Sequence, residues 1–158
     1  FMGNELASFD EWNEKCSLPW ILKTFPAHDS ISRLMRDLNR IYQYEKSMYF
    51  EEHNPNHFRW LMVDNANDSI YAFQRSVGDE TLVFVFNMTP NYYESYGIPL
   101  WQSGTYEEIF NSDKDVYGGA NQYNGLPLDS EPGSFEGLPA HFNIKLGSFT
   151  ACIFKKIK

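Results

Sequence analysis

Hydrolytic and group-transfer chemistry needs a nucleophile, a proton shuttle or a metal, so histidines, cysteines and carboxylates come first. The histidines are His28, His53, His57 and His141. His53 and His57 are four apart, but Asn54-Pro55-Asn56 breaks any helix that would align them as ligands. Zinc asks for about four converging ligands, so no metal site is predicted. Cys16 and Cys152 have no neighbouring His to activate a thiol. They read as two reduced structural thiols in a cytoplasmic protein. Glu107 and Glu108 are adjacent on a strand pattern and point to opposite faces, which makes a poor catalytic pair. Glu51-Glu52 reads as a solvated acidic turn between a helix and a strand. Glycoside cleavage takes two carboxyl groups about 5–9 Å apart, and nothing here forces such a pair. Gly118-Gly119 lacks the Lys-Ser/Thr of a phosphate loop. The residues predict no catalytic group and no cofactor.

What remains is an aromatic load of 17%. Tyr92, Tyr93, Tyr96, Trp101, Tyr106, Tyr117 and Tyr123 fall in the middle third among Asn, Gln, Glu and Asp. A flat ring can cover the apolar face of a sugar while amides and carboxylates take its hydroxyls. Such rings equally suit a sheet core or edge, and the sequence leaves both readings open.

The elements that must position these residues change character near residue 50. Residues 1–27 show no period, and Pro19 and Pro26 bar a long helix there. An irregular loop with one short helical turn is expected. Residues 29–47 place Ile31, Leu34, Met35, Leu38, Ile41 and Tyr42 on one face at 3.6-residue spacing, which predicts a helix capped by Asp29 or Ser30. After residue 50 the period becomes two. Strands are predicted over 57–63, 69–75, 81–88, 141–146 and 149–154, with 81–88 central because it is apolar on both faces. Residues 97–110 read as a hairpin around Gln102-Ser103, and Gly147-Ser148 as a two-residue hairpin connection. Residues 111–137 read as a long polar excursion. The predicted fold is mainly β: an antiparallel sandwich of seven or eight strands of Greek-key type, behind one helix.

The chain has 158 residues, about one domain, and a net charge of −8. That balance argues against nucleic acid or an anionic membrane surface as partner. No apolar run approaches the ~20 residues of a membrane span, and no signal peptide is read. An apolar start, Phe1-Met2-Gly3, without an initiator Met is read as a piece cut from a longer polypeptide.

Several strings then carry a family resemblance. Phe1-Met2-Gly3-Asn4-Glu5 with Glu11-Trp12-Asn13 resembles the "FMGxE…EWN" segment that follows the last barrel strand of 1,4-α-glucan branching enzymes. Ser17-Leu18-Pro19-Trp20 is similar to their "SLDW", with Pro19 in place of the Asp. Leu6-Ala7-Ser8-Phe9 stands where the family usually has "FGQ" or "FAQ". Arg36-Asp37-Leu38-Asn39 resembles "RDLN" of the last barrel helix. Asn87-Met88-Thr89-Pro90 resembles "NFTP", and Tyr96-Gly97-Ile98-Pro99 resembles the "YRIGVP" stretch. Asn111-Ser112-Asp113 with Tyr117-Gly118-Gly119 is similar to "NSDxxxYGG", and 138–153 to the terminal strands. The strings are collinear and cover nearly the whole chain.

The resemblance implies a parent of the α-amylase superfamily that cuts an α-1,4-glucan and transfers the piece to a 6-hydroxyl, building the branches of glycogen. It implies a retaining mechanism through a covalent glycosyl-enzyme. The family's catalytic carboxylates lie upstream, and no position here corresponds to them, so the chain alone is expected to be inactive. Residues 1–48 would be the end of the catalytic barrel and 49–158 an all-β C-terminal domain. Residues 1–27 would wall the active cleft, with Glu5, Trp12 and Asn13 touching glucan, and Tyr92, Tyr93 or Trp101 would hold a glucan chain. The helix would pack on the parent's barrel; in the chain alone it would pack on the β-domain or form a dimer. Two other readings are a freestanding sugar-binding sandwich and the terminal domain of a debranching or trehalose-forming relative.

Overall fold

The computed structural model describes residues 2–158, so Phe1 of the FMG string lies outside them. Helix α1 spans Pro26–Tyr44 and starts earlier than predicted. Pro26 has no N–H to leave unsatisfied and its fixed φ suits the first helical position. Asp29 does not cap; its carboxylate instead takes Arg33 one turn on, at 2.5 Å. At Glu45 the backbone turns extended, and a short helix α2, Lys46–Tyr49, follows. Before α1 the chain makes two 3-10 turns, Asn4–Leu6 and Trp20–Thr24.

Among the described residues nine strands follow: β1 Phe58–Met62, β2 Ile70–Val77, β3 Glu80–Asn87, β4 Tyr93–Leu100, β5 Thr105–Asn111, β6 Leu128–Asp129, β7 Glu131–Phe135, β8 Leu138–Leu146 and β9 Ala151–Lys156. They form two sheets, β1-β2-β3-β9-β5-β6 and β4-β8-β7. Each strand pair is antiparallel. The count exceeds the predicted seven or eight because β6 and β7 lie inside the stretch read as a polar excursion. Their residues are largely exposed, so no apolar alternation marks them.

The core between the sheets takes alternate residues from both. Ile70, Ala72, Val83 and Val85 face Ile98, Leu100, Phe142 and Ile144. The other face of β3 and its neighbours carries Leu82, Phe84, Phe110 and Ile153, and there Leu34, Leu38 and Ile41 of α1 pack with Met48 of α2. Strand β3 is therefore covered on both sides, as its composition predicts.

The two predicted hairpins are corrected. Strands β4 and β5 lie in different sheets: β4 pairs with β8, and β5 with β9 and β6. Tyr106 of β5 stacks face to face on Phe142 of β8, centroids 5.3 Å apart. Its apolar partner is thus across the sandwich, and the segment 101–104 crosses between layers. Likewise β8 and β9 belong to different sheets, and 147–150 is a corner. Asn87 builds it: its Nδ2 donates to the carbonyls of Gly147 at 2.8 Å and Asn91 at 2.7 Å. The Phe149 N–H completes it by donating to the Thr89 carbonyl. Among the described residues, no helix is long and apolar enough to cross a membrane.

Candidate functional site

The first residues fold back on the start of α1. Gly3 is left-handed at φ 94°, and a Cβ there would come within 2.8 Å of Leu18. The following 3-10 turn buries Leu6 fully. Helix α1 pins that turn with two side chains: the His28 Nδ1–H donates to the Leu6 carbonyl, and the Ser32 hydroxyl to the Glu5 carbonyl, each at 2.7 Å. Behind the turn lies a cleft of about 400 Å³, whose walls include Asn4, Asp10, Glu11, Trp12, Asn13 and Leu18. Trp12 is 47% exposed. Asn13 spends its Oδ1 on the Lys15 N–H at 3.0 Å. The cleft thus offers a ring, carboxylates and an amide together, a donor set suited to a neutral polyhydroxylated ligand. Glu5 does not share it. Glu5 lines a separate groove with Trp20, Asp29, Ser32, Arg33 and Arg36.

The other predicted contacts do not line this cleft. Tyr92 and Tyr93 sit at the start of β4 and Trp101 just past its end. At ~3.3 Å per residue, β4 holds them roughly 25 Å apart. The Tyr92 hydroxyl donates to the Glu94 carboxylate. This bond and the nearby charge push the phenol up and hold Glu94 below its usual range. Tyr93 packs edge-on against Tyr96 at 4.9 Å. Tyr96 donates to Asp68 and accepts from Asn65 Nδ2, each at 2.8 Å. This pair ties β4 to the β1–β2 turn. Arg59 rests over the Trp101 ring at 5.2 Å. Tyr106 is buried in the core, so it is a packing residue and not a sugar platform.

The sequence reading missed a joint between the helix and the sheet. Asn111 is fully buried and gives its Nδ2 to the Gln122 carbonyl and to Glu108 Oε2. Its Oδ1 accepts from the Asp113 N–H at 2.8 Å. The Asp113 carboxylate then accepts from the N–H groups of Ala120 and Gln122, both at 2.9 Å. Gly119 is required in this loop because a Cβ would fall 2.3 Å from the Asp113 carbonyl oxygen. The cinched loop presents Tyr117, whose hydroxyl donates to Asp37 of α1 at 2.9 Å. Asp37 lies below its usual range, held there first by Arg36 and then, against burial, by Tyr117. A second clasp lies at the end of the helix. Lys155 of β9 reaches Glu45 at 2.6 Å and Glu80 at 3.9 Å. Glu80 accepts the Ser47 N–H of α2 at 2.5 Å. Burial raises the Glu80 carboxyl, but the Ser47 bonds and Lys155 outweigh it and leave it lowered. Asp37 and Tyr117 are 80 positions apart, and no local pattern pairs them.

Burial pushes the Cys152 thiol well up, which keeps it protonated. Glu108 is also raised by burial, but its Oε2 is occupied as a loop clasp by Asn111 and Asn124. Among the described residues, no group of three or more His, Cys, Asp or Glu could hold a metal ion.

Residues 60–157 match the family model described as "Alpha amylase, C-terminal all-beta domain". The chain is similar to the 1,4-alpha-glucan branching enzyme GlgB of Bacillus subtilis. The two are 36% identical over 162 aligned positions, which take in 100% of this chain and 26% of that protein. It is 40% identical to the 1,4-alpha-glucan branching enzyme GlgB of Rhizobium radiobacter over 126 positions, 79% of this chain and 17% of that one. The chain therefore spans about a quarter or less of the length of these relatives. Among solved structures, isomaltulose synthase from Klebsiella sp. LX3 superposes with a TM-score of 0.51 at 12% identity. That match covers 89% of this chain and 21% of the other, and it speaks for the fold alone.

Proposed function

The chain belongs to the family of α-amylase C-terminal all-beta domains, and from that premise we propose that it is the terminal part of a 1,4-α-glucan branching enzyme. In this reading 49–158 is the terminal domain and 1–48 the end of the catalytic barrel. The observation that carries it is the seat of α1. Leu34, Leu38 and Ile41 pack on the outer face of the large sheet. Tyr117–Asp37 fastens the helix at its middle and Lys155–Glu45 at its C-terminal end. The domain's work is to hold the barrel's last helix, and with it the loop that walls the cleft. Because Leu34, Leu38 and Ile41 are spent on the chain's own sheet, the helix is assigned there and not to a second copy, although Tyr42, expected on the same face, is exposed.

The remaining barrel would cover Trp20, Ile21 and Phe25, large apolar side chains exposed just ahead of α1. The 36–40% identity to proteins named as branching enzymes supports an α-glucan substrate. Trp12 and Asn13 would meet that glucan in the cleft, with Glu5 in the groove beside it. The parent would work through a retaining, two-carboxylate mechanism in the cytoplasm. This chain would supply neither carboxylate.

Product analysis tests the reading. The full-length parent given amylose is expected to make new α-1,6 links, and this chain alone to leave the iodine colour of amylose unchanged. Linear products from the parent, or branching by the chain alone, would overturn it.

A further inference from the structure

Helix α1 covers only part of the outer face of the large sheet. Its seat is Leu82 and Phe84 of β3, Ile153 of β9 and Phe110 of β5. Beyond them, β2 and β1 carry a run of rings on the same face. Phe73 of β2 stacks on Phe84 with ring centroids 4.6 Å apart, and on Phe86 at 5.8 Å. Phe58 and Trp60 of β1 lean on Phe73 at 5.1 and 5.9 Å. Trp60 stands on the outermost strand and is 49% exposed. The helix leaves a matching flank open. Ile31, Met35 and Tyr42 follow one another at i, i+4 and i+11, beside the seated line of Leu34, Leu38 and Ile41. None of the three joins the cluster that seats the helix. Tyr42 is 46% exposed, and its ring meets Tyr49 of α2 at 6.1 Å. Helix α2 lies against β2 and β3. Asp37, on the other flank of the seated line, meets Tyr117 beyond β5. The open flank of α1 therefore faces the β2 side, and with the rings it makes an apolar corner.

Spacing decides what fits there. The seat of α1 centres on β9, the strand between β3 and β5. Strands lie about 4.8 Å apart, so β2 runs about 10 Å to the side, which is one helix diameter. A second helix at that interaxial distance would lie over β2, with Phe73 beneath it, Trp60 on one flank and α1 on the other. The backbone of β2 is already paired to β1 and β3, so no strand can add to it. A glucan fits poorly, because Phe58, Phe73 and Phe86 offer its hydroxyls no partner. The rings are continuous with the seat of α1, since Phe73 and Phe86 belong to the same cluster. We infer that this aromatic shelf and the open flank of α1 seat a second, amphipathic helix, supplied by the remaining barrel of the parent. The inference rests on the proposed reading of the chain as the end of a longer parent. The chain takes in 26% of the Bacillus subtilis relative. A (β/α)8 barrel carries its helices as an outer ring, so a helix is what that barrel brings alongside α1.

Hydroxyl-radical footprinting of the full-length parent and of this chain reads the shelf without any substitution. Trp60 and Tyr42 are expected to be modified several-fold more slowly in the parent than in the chain. A photocrosslinking phenylalanine analogue in place of Trp60 in the parent is expected to join a helix of the parent's own barrel. Equal modification of Trp60 in the two proteins would overturn the inference. So would protection that grows with the concentration of the chain alone, which means a second copy. Protection of the chain's Trp60 by maltohexaose means a sugar platform and overturns it too. A crosslink that lands anywhere but on a barrel helix, or none at all, does the same. The branching reading fails separately. A full-length parent that makes no α-1,6 links while its Trp60 stays protected counts against that reading and leaves the helix seat standing.

Discussion

Asp37 holds Tyr117 against the helix, and that single contact joins two strings the sequence keeps 80 positions apart. Tyr117→Phe keeps the ring and removes the hydroxyl. The expected cost is about 1 kcal/mol in urea unfolding, because a hydrogen bond to a carboxylate is lost but Asp37 keeps Arg36. Phenols carry a second signature. Burial is the main cause for each and pushes Tyr96, Tyr106 and Tyr117 up to about 12. Their stabilisation is full below the ordinary phenol value near 10 and is lost as pH rises from there through about 12. Phenolate absorbance should show a late-titrating class, and that class should appear together with alkaline unfolding. The carboxylates have opposite signs. Asp37 and Glu80 are lowered, so their support is present above the ordinary carboxylate range and lost as pH falls through their folded values. Glu108 is raised, so its contribution is fullest at low pH and declines as pH rises through its folded value. Glu108→Gln should flatten that decline in a stability-versus-pH series and leave the acid limb set by Asp37 and Glu80 in place.

Helix α1 carries the next scale. Leu38 sits in the middle of its stripe, half-buried against the outer sheet face. Leu38→Ala should cost about 1–2 kcal/mol, less than a fully buried leucine, and thermal unfolding will read it. The helix was legible because its apolar period is strong and local. Its start was not, because Pro26 at the first helical position displaced the cap expected at Asp29. Strands β1, β2, β3, β8 and β9 were legible from alternation or from apolar residues on both faces. Alternation says which residues face inward but not which sheet they face inward from. For that reason Ile98 and Tyr106, both core residues, read as one hairpin when they lie in opposite layers. The corner at 147–150 failed for a related reason: its geometry is set by Asn87, 60 residues earlier in the chain than Gly147. Of the six predicted sugar contacts, Trp12 and Asn13 share a cleft. Glu5, the Tyr92–Tyr93 pair and Trp101 do not join them, since β4 and the first turn of the chain hold them apart.

At the scale of the molecule, one sheet face serves two tasks. Its inner side closes a sandwich core with β4 and β8, and its outer side is a seat for a helix. A sandwich alone needs no apolar outer face. Leu82, Phe84, Phe110 and Ile153 on that face make sense once α1 is set on them. The central claim is that α1 and the β-domain fold as one unit. Amide hydrogen exchange on the chain measures this directly. The account predicts that the amides of Leu34, Leu38 and Ile41 exchange as slowly as those of β5 and β9, the strands that carry Phe110 and Ile153 beneath α1, and that Tyr117→Phe and Leu38→Ala speed them. Rapid exchange throughout α1, beside a protected sheet, would contradict it.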